Sequence, residues 1–569
     1  SLAGIGCHYM SIWIRPDQTM TFTQMGGEGA PWIGIQPFTE MDHIFANLGD
    51  GTYYHSGLLA IRAAVGANVN MTYKILYNDA VAMTGGQPVD GPLTVPMITR
   101  QVASEGVGKI VVVTDEPEKY PKDADFAPGV TVRHRDDLDA VQRELRETPG
   151  VTVLVYDQTC AAEKRRRRKR GKFPDPQKRV VINDLVCEGC GDCGTKSNCL
   201  SVVPVETEFG RKRAIDQSTC NKDYSCVKGF CPSFVTVEGG KLRKRKPAAR
   251  EASGAGLPAP TLPSVDAPYG ILVTGVGGTG VVTIGALLGM AAHIEGLGVA
   301  VLDMTGLAQK GGSVYSHIRI ARNPADIHAV RIAAGEARAV LGCDMIVAAS
   351  DEAIAKMQSG VTRAVINGDV ATTGGFTRDP DLQVPTGDMA DSIREACGAE
   401  AVDFVDASEL ATALMGDSIA TNLFMMGYAW QKGLIPLRED SIMRAIELNG
   451  AAVESNKAAF EWGRRAAVDL ASVRRAATPP SAMPESHVLS QTLDEAIARR
   501  RAFLVGYQDE AYARRYADFV ERVRAAEAQK APGSTALTAA VARYLFKLMA
   551  YKDEYEVARL YTATDFVER

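Results

Sequence analysis

An aspartate and an asparagine stand where two glycine-bounded turns could bring hard oxygen ligands and backbone amides onto one ligand. The stretch from Gly49 to Gln87 reads GDGTYYHSGLLAIRAAVGANVNMTYKILYNDAVAMTGGQ. Gly49-Asp50-Gly51 predicts a tight turn: its glycines let the backbone approach a ligand, and Asp50 offers an oxygen to a hard cation. Ser56 to Val65 has helical apolar spacing, and the first amides of such a helix favour an anion. Met71 to Tyr77 reads as a strand that delivers Asn78 and Asp79 to its end. Thr84-Gly85-Gly86-Gln87 predicts a second turn that closes the site. The whole reads as a clamp for magnesium and a diphosphate; the competing reading is a turn–helix–strand unit with no ligand. His55 either faces the ligand or is a buried structural histidine.

The second chemical signal is sulfur. Seven of 11 cysteines lie between Cys187 and Cys231: Cys187, Cys190 and Cys193 in CEGCGDC, then Cys199, Cys220, Cys226 and Cys231-Pro232. Such clustering in a large chain without a visible secretion signal points to metal or iron–sulfur ligation, not disulfides. Thiolates are soft ligands suited to iron. Zinc would be better served by two CxxC pairs, so the triple Cys187/Cys190/Cys193 favours iron–sulfur.

Elements must position these groups. Around the clamp, residues 1–170 predict an α/β domain with a parallel sheet. Lys109–Asp115 (KIVVVTD) and Val151–Asp157 (VTVLVYD) are β-branched strand runs, and Asp136–Glu147 between them fits a helix. Ligands of such sheets sit beyond the carboxyl ends of strands, where Asn78 falls. Residues 171–245 predict a small cysteine module. The preceding run, Lys164 to Arg170, reads as a solvated linker, or as a docking patch for an acidic electron carrier. Residues 246–266 read as a mobile linker rich in Pro, Ala, Gly and Ser.

A second, Rossmann-like α/β domain is expected over 267–475. Its first strand, Gly270–Thr274, runs into Gly275-Val276-Gly277-Gly278-Thr279-Gly280, a dinucleotide-type turn with Asp303 near the ribose-binding position. The competing reading is a glycine turn used only for strand–helix packing. Asp344–Ser350 (DMIVAAS) reads as a further buried strand, and from Asn422 the pattern turns helical. The helices of 476–569 are expected to pack against this second domain.

Composition narrows the class. Hydrophobic content of 46% and charge of 23% are ordinary for a globular cytoplasmic protein, and 569 residues suggest three to four domains. A net charge of −5 gives the whole chain no nucleic-acid character. No apolar run is long enough to span a membrane. The abrupt start at Ser1 suggests a fragment of a longer chain.

Gly51 and Asn78 are separated by 26 residues, which resembles the thiamine diphosphate motif. With GIGCHYM, TQMGGEG, AMTGGQP, the cysteine module and GVGGTG…TGLAQKGG, the chain resembles the 2-oxoacid:ferredoxin oxidoreductases, most closely the fused indolepyruvate type. The resemblance implies magnesium bound by Asp50 and Asn78, with the Ala80 carbonyl as a further ligand. Gly49, Gly51, Gly85 and Gly86 would shape the diphosphate pocket, and Thr84 and Gln87 would donate hydrogen bonds to it. The cysteine module resembles a two-cluster bacterial ferredoxin. It implies one [4Fe-4S] cluster on Cys187, Cys190, Cys193 and Cys231, and a second drawing on Cys199, Cys220 and Cys226. Cys7 and Cys160 would match ligands of a proximal cluster. Gly275, Gly277 and Gly280 would belong to a domain covering the active site near coenzyme A. The implied reaction is oxidative decarboxylation of an aryl-pyruvate with thiamine diphosphate, acyl transfer to coenzyme A and electron transfer to ferredoxin. A separate N-terminal pyrimidine-binding domain would complete the site, and a homo-oligomer is expected. The alternatives are an NAD-linked iron–sulfur oxidoreductase and a non-catalytic electron-transfer or assembly module.

Overall fold

The computed structural model describes residues 1–82, 86–89, 91–240, 256–305, 312–477 and 485–568. They form two compact units. One holds Ser1–Asp175 with Val276–Gly278 and Thr305–Val314; the other holds the remainder.

The first unit is built on a five-stranded sheet: β1 (Ile44–Gly49), β2 (Met71–Tyr77), β3 (Lys109–Thr114), β4 (Thr131–His134) and β5 (Val151–Asp157). The order is β1-β2-β5-β3-β4 and every pairing is parallel. The β-branched runs foreseen as strands are there, buried because helices cover a parallel sheet on both faces. The helix foreseen over 136–147 forms as Leu138–Arg146 after one 3₁₀ turn. Leu48, Ile61, Met71, Ile75, Ile98 and Val153 are fully buried in the core between sheet and helices.

Two local readings change. Gly49-Asp50-Gly51 is not a tight turn: Gly49 is extended (φ −78°, ψ 161°) and ends β1, and the helix begins at Asp50. That helical run continues to Gly66 through a π turn at Tyr53–Gly57, six residues earlier than the apolar spacing indicated. A π turn inside a helix often marks a functional site. The basic run is no linker either. It lies in the helix Ala161–Lys169, held by Lys164 Nζ on Asp115 at 2.6 Å and Arg167 Nη1 on Asp79 at 2.7 Å.

In the second unit the cysteine module has two antiparallel pairs. β6 (Lys178–Ile182) pairs with β9 (Phe234–Glu238), and β7 (Val202–Thr207) forms a hairpin with β8 (Gly210–Ile215). The α/β part carries β10 (Tyr269–Val276), β11 (Gly298–Met304), β12 (Ser313–Ala321), β13 (Ala339–Gly342), β14 (Arg363–Asn367) and β15 (Val402–Val405). Their order is β11-β12-β10-β13-β14-β15. β10, β13, β14 and β15 run parallel, while β11 and β12 are antiparallel. Asp344–Ser350 is not a strand. Asp344 accepts the Val347 N–H at 3.0 Å and caps a short helix, Met345–Ala348; a short apolar run is ambiguous until a cap decides it.

The C-terminal helices also depart from expectation. Leu493–Tyr507, Glu510–Lys530 and Ala536–Met549 enclose a core of their own around Leu504, Tyr516, Val520 and Phe546. That core takes in Phe209, from the turn of the β7–β8 hairpin, stacked on Phe546 at 5.3 Å. Arg500 grips the Glu208 carboxylate and its carbonyl, and Tyr561 donates to the Pro232 carbonyl at 2.6 Å. These helices therefore dock on the cysteine module. Of the linker expected over 246–266, residues 246–255 lie outside the described residues. The Pro258 carbonyl accepts from Gln431 at 2.7 Å, so the remainder is tied to the second unit.

Candidate functional site

The carboxyl ends of β1, β2 and β5 meet at one point. Asp50 follows β1 and is 2% exposed. Its Oδ1 accepts the Gly51 N–H at 2.9 Å; its Oδ2 accepts the N–H groups of Asn78 at 2.9 Å and Asp79 at 3.0 Å. Burial pushes the Asp50 carboxyl above its usual range, and these amides, with that of Ala80, pull it back. Asn78, at the end of β2, presents a buried Oδ1 with no hydrogen-bond partner among the described residues. Ala80 is 1% exposed. A buried carboxylate held only by amide dipoles, beside an orphaned carboxamide oxygen, is a donor set suited to a hard dication. Nothing lies within 4 Å of a Cβ built on Gly49, and only Val81 Cγ2, at 3.5 Å, on Gly51, so the entry to the helix is open to a ligand.

The second turn is partly visible. Thr84 and Gly85 lie outside the described residues. Gly86 has φ +81°, and a Cβ there would fall 2.2 Å from the Glu163 carboxyl carbon. Gln87 is exposed, and its carbonyl accepts the Val81 N–H at 2.7 Å. His55 is exposed, with Nδ1 2.8 Å from Ser56 Oγ, so the buried structural reading fails. Cys160 lies beside the clamp: its N–H donates to the Asn78 carbonyl at 3.3 Å. Cys7 is exposed, in a 3₁₀ turn.

Three residues near the clamp were not singled out from the sequence. Arg167 ties down the loop after β2, donating to both the Asp79 carboxylate and its carbonyl. Glu163 is buried against Gly86 and paired with Arg166. Glu28, 1% exposed within the TQMGGEG loop, accepts the Gly26 N–H at 2.7 Å, has a buried unpartnered Oε1, and is pushed up in pKa by burial. An acid bracketed by Gly26, Gly27 and Gly29 was its only sequence signal.

None of the 11 cysteines is in a disulfide. In the module they fall into neighbouring sets. Burial, then the nearby Cys187, raises the Cys193 thiol to about 11, with Cys190 adding to it. Burial, then Cys199 and Cys220, raises Cys226 to about 11. Cys187 Sγ accepts the Gly189 N–H at 3.3 Å and Cys220 Sγ the Lys222 N–H at 3.4 Å, contacts of the kind that tune cluster sulfurs. Cys231 is exposed, with Ser233 Oγ at 3.1 Å. Among the described residues no three His, Cys, Asp or Glu side chains converge closely enough to hold a single metal ion.

Residues 4–156 match the family described as thiamine pyrophosphate enzyme, C-terminal TPP binding domain. Residues 270–466 match pyruvate ferredoxin/flavodoxin oxidoreductase, and 493–569 match a family of unknown function. The indolepyruvate oxidoreductase subunit IorB of Methanothermobacter thermautotrophicus is 30% identical over 203 residues, 35% of this chain and 98% of IorB. The chain belongs to the 2-oxoacid:ferredoxin oxidoreductase family. The IorA subunit of Thermococcus kodakarensis is 30% identical over 259 residues, 42% of this chain, which spans only 37% of IorA. Among solved structures, the pyruvate oxidoreductase subunit PORC of Thermotoga maritima is 18% identical, covering 35% of this chain and 96% of that one with a TM-score of 0.26.

In this oxidoreductase the GVGGTG loop has a packing explanation. A Cβ on Gly275 would lie 2.6 Å from Val281 Cγ2 and 3.1 Å from Cys343 Cβ. Gly280 sits at φ +100° and caps the helix Val281–Ile294; the Gly277 N–H donates to the Gly312 carbonyl at 2.8 Å. Asp303 lies on β11, antiparallel to β12 and not beside β10. That is not where a dinucleotide fold places its ribose acid, so the NAD-linked alternative is not favoured. No helix among the described residues is long and apolar enough to cross a membrane.

Proposed function

We propose that the chain is the thiamine diphosphate-binding and electron-transferring part of an enzyme that oxidatively decarboxylates an aryl-pyruvate such as indolepyruvate. Coenzyme A would take the acyl group and ferredoxin the electrons. The carrying observation is the buried Asn78 Oδ1, unpartnered among the described residues, beside the Asp50 carboxylate. Asp50 and Asn78, with the Ala80 carbonyl, would hold Mg²⁺, and the first amides of the helix starting at Asp50 would receive the diphosphate. The bound thiamine supplies the carbanion chemistry of decarboxylation. The chain's own residues anchor and orient the cofactor: Arg167 braces the metal loop through Asp79, and the low exposure of Asp50 and Ala80 keeps water from competing for the cation.

The module cysteines Cys187, Cys190, Cys193, Cys199, Cys220, Cys226 and Cys231 would hold [4Fe-4S] clusters as the electron path, in the cytoplasm. The relatives bear subunit names, which supports a single chain joining functions that they divide. Trp13, Ile14, Phe22 and Met25 are 59%, 54%, 49% and 47% exposed. Such an apolar surface supports a partner, the pyrimidine-binding domain or subunit. The test is dye reduction: with that partner, indolepyruvate, coenzyme A, thiamine diphosphate and Mg²⁺, the protein should reduce a viologen. Reduction of the dye by pyruvate but not by indolepyruvate would refute the aryl specificity.

A further inference from the structure

The second unit contains a cavity of about 310 Å³ whose lining reaches the proposed cluster ligand Cys190 and extends away from it among side chains to which the proposed reaction gives no role. Its size is that of a small-ligand site. The β7–β8 hairpin, the start of the cysteine module and the C-terminal helices enclose it, and its cationic lining is Arg211, Lys212, Arg500, Arg543, Lys547 and Lys552. The acids among the lining are Glu188 and Asp381.

Half of that charge is already answered. Arg500 is paired with Glu208, Arg211 with Glu206 at 2.5 Å, and Lys552 with Glu188 at 2.7 Å. Lys212, Arg543 and Lys547 make no ion pair among the described residues. Lys212 is 6% exposed. A buried ammonium without an ion pair is costly to keep without an anion. Aromatic side chains line the cavity as well: Phe209, Phe503 and Phe546, with Phe209 and Phe546 stacked at 5.3 Å. Tyr544, 58% exposed, stands at the rim. Cations together with phenylalanine rings suit a ligand that is polyanionic at one end and planar and apolar at the other. An acidic protein surface would use the cations and leave the aromatic side chains idle.

We propose that this cavity binds a nucleotide, its phosphates on Lys212, Arg543 and Lys547 and its base against Phe209 and Phe546. The test uses the full chain saturated with thiamine diphosphate and Mg²⁺, so that the diphosphate clamp is filled. ADP is titrated by calorimetry against wild type and against Arg543→Ala/Lys547→Ala, whose exposed side chains leave the fold intact, and against Lys212→Met. Saturable single-site ADP binding is expected, weakened about tenfold or more by either variant, which corresponds to one lost charge-assisted contact. Adenosine should bind about tenfold or more weakly than ADP, and inorganic pyrophosphate should bind more weakly than ADP because it lacks the base. No binding of ADP up to about 5 mM overturns the proposal. So does ADP affinity unchanged in Arg543→Ala/Lys547→Ala, or binding of polyglutamate without binding of ADP. Each of these outcomes leaves thiamine retention at Asp50 untouched.

Discussion

Asp50 and Asn78 follow neighbouring parallel strands, and Asp50 Oδ2 accepts the Asn78 N–H at 2.9 Å while the Asn78 side-chain oxygen stays buried without a partner among the described residues. The carboxylate is thus aimed by the backbone that carries its proposed co-ligand. Asp50→Asn keeps the shape and removes the charge. The variant should fold yet lose thiamine diphosphate and Mg²⁺ affinity by about tenfold or more in equilibrium dialysis, and Asn78→Ala should do the same. Wild-type cofactor retention by Asp50→Asn would remove the metal assignment.

Arg167 acts on the same loop through Asp79, whose backbone is left-handed at φ +58°. The guanidinium contacts both the side chain and the carbonyl of that residue, and so holds a conformation that non-glycine residues rarely adopt. Arg167→Met should weaken cofactor binding by about threefold to tenfold. Arg170→Ala, an exposed neighbour, should leave it unchanged. Equal effects from both would mean that the basic helix contributes only net charge.

The meeting of Asp50 and Asn78 was legible because its signals are local: strand, glycines, acid, strand, amide. The basic helix was not, because the partners that order it, Asp115 and Asp79, are 49 and 88 residues away in sequence. Asp303 was misplaced for a similar reason. Its strand is the right length, but β12 inserts beside β10, and strand order is set by packing rather than by spacing. The C-terminal helices showed their periodicity plainly. Their docking face depends on one aromatic, Phe209, inside a hairpin turn more than a module away. Glu28 and Glu163 were not singled out because the glycines packed on them, Gly4 and Gly86, lie far from them in sequence.

Cysteine substitutions should separate ligands from core. Cys193 sits among Cys187, Cys190 and Cys226. Cys343 and Cys397 are buried small hydrophobes in the second α/β part. Cys193→Ser should lower iron and acid-labile sulfide in anaerobically purified protein. Cys343→Ala should leave both at the wild-type level. Equal iron content in the two variants would dismiss the cluster assignment.

Acid stability should be governed by buried histidines. His317 is fully buried, accepts the Ile332 N–H at 3.2 Å, and is lowered to about 4 by burial, then by Arg331 and Lys356; Glu352 opposes and Arg319 adds. The folded state takes up this proton less readily than the unfolded state does. Its contribution is therefore present above pH 6.5 and is lost as pH falls from 6.5 towards about 4, on the order of 3 kcal/mol in total. His8 and His43 shift in the same direction to about 4. His317→Asn should flatten the fall of the second unit's unfolding temperature over that window. A fall as steep as wild type would show that His317 is not the responsible group.

The helices Thr421–Gln431 and Val453–Val468 cross where each has a glycine. A Cβ on Gly427 would lie 2.0 Å from the Phe460 carbonyl oxygen, and one on Gly463 would lie 1.9 Å from that of Phe424. Both obstacles are backbone, so no rotamer change can relieve them, and the helices would have to move apart. Separation would loosen a seam in which Phe424, Met425 and Phe460 are fully buried. Gly427→Ala should thus cost about 3 kcal/mol or more despite alanine's better helix propensity. Gly387→Ala is the control: it lies in the helix Thr386–Cys397 with nothing within 4 Å of the added Cβ, and should be neutral or slightly stabilising. Chemical unfolding of the two variants distinguishes crowding from propensity. A Gly427→Ala protein that unfolds at the wild-type midpoint would mean that the two helices do not meet at their glycines.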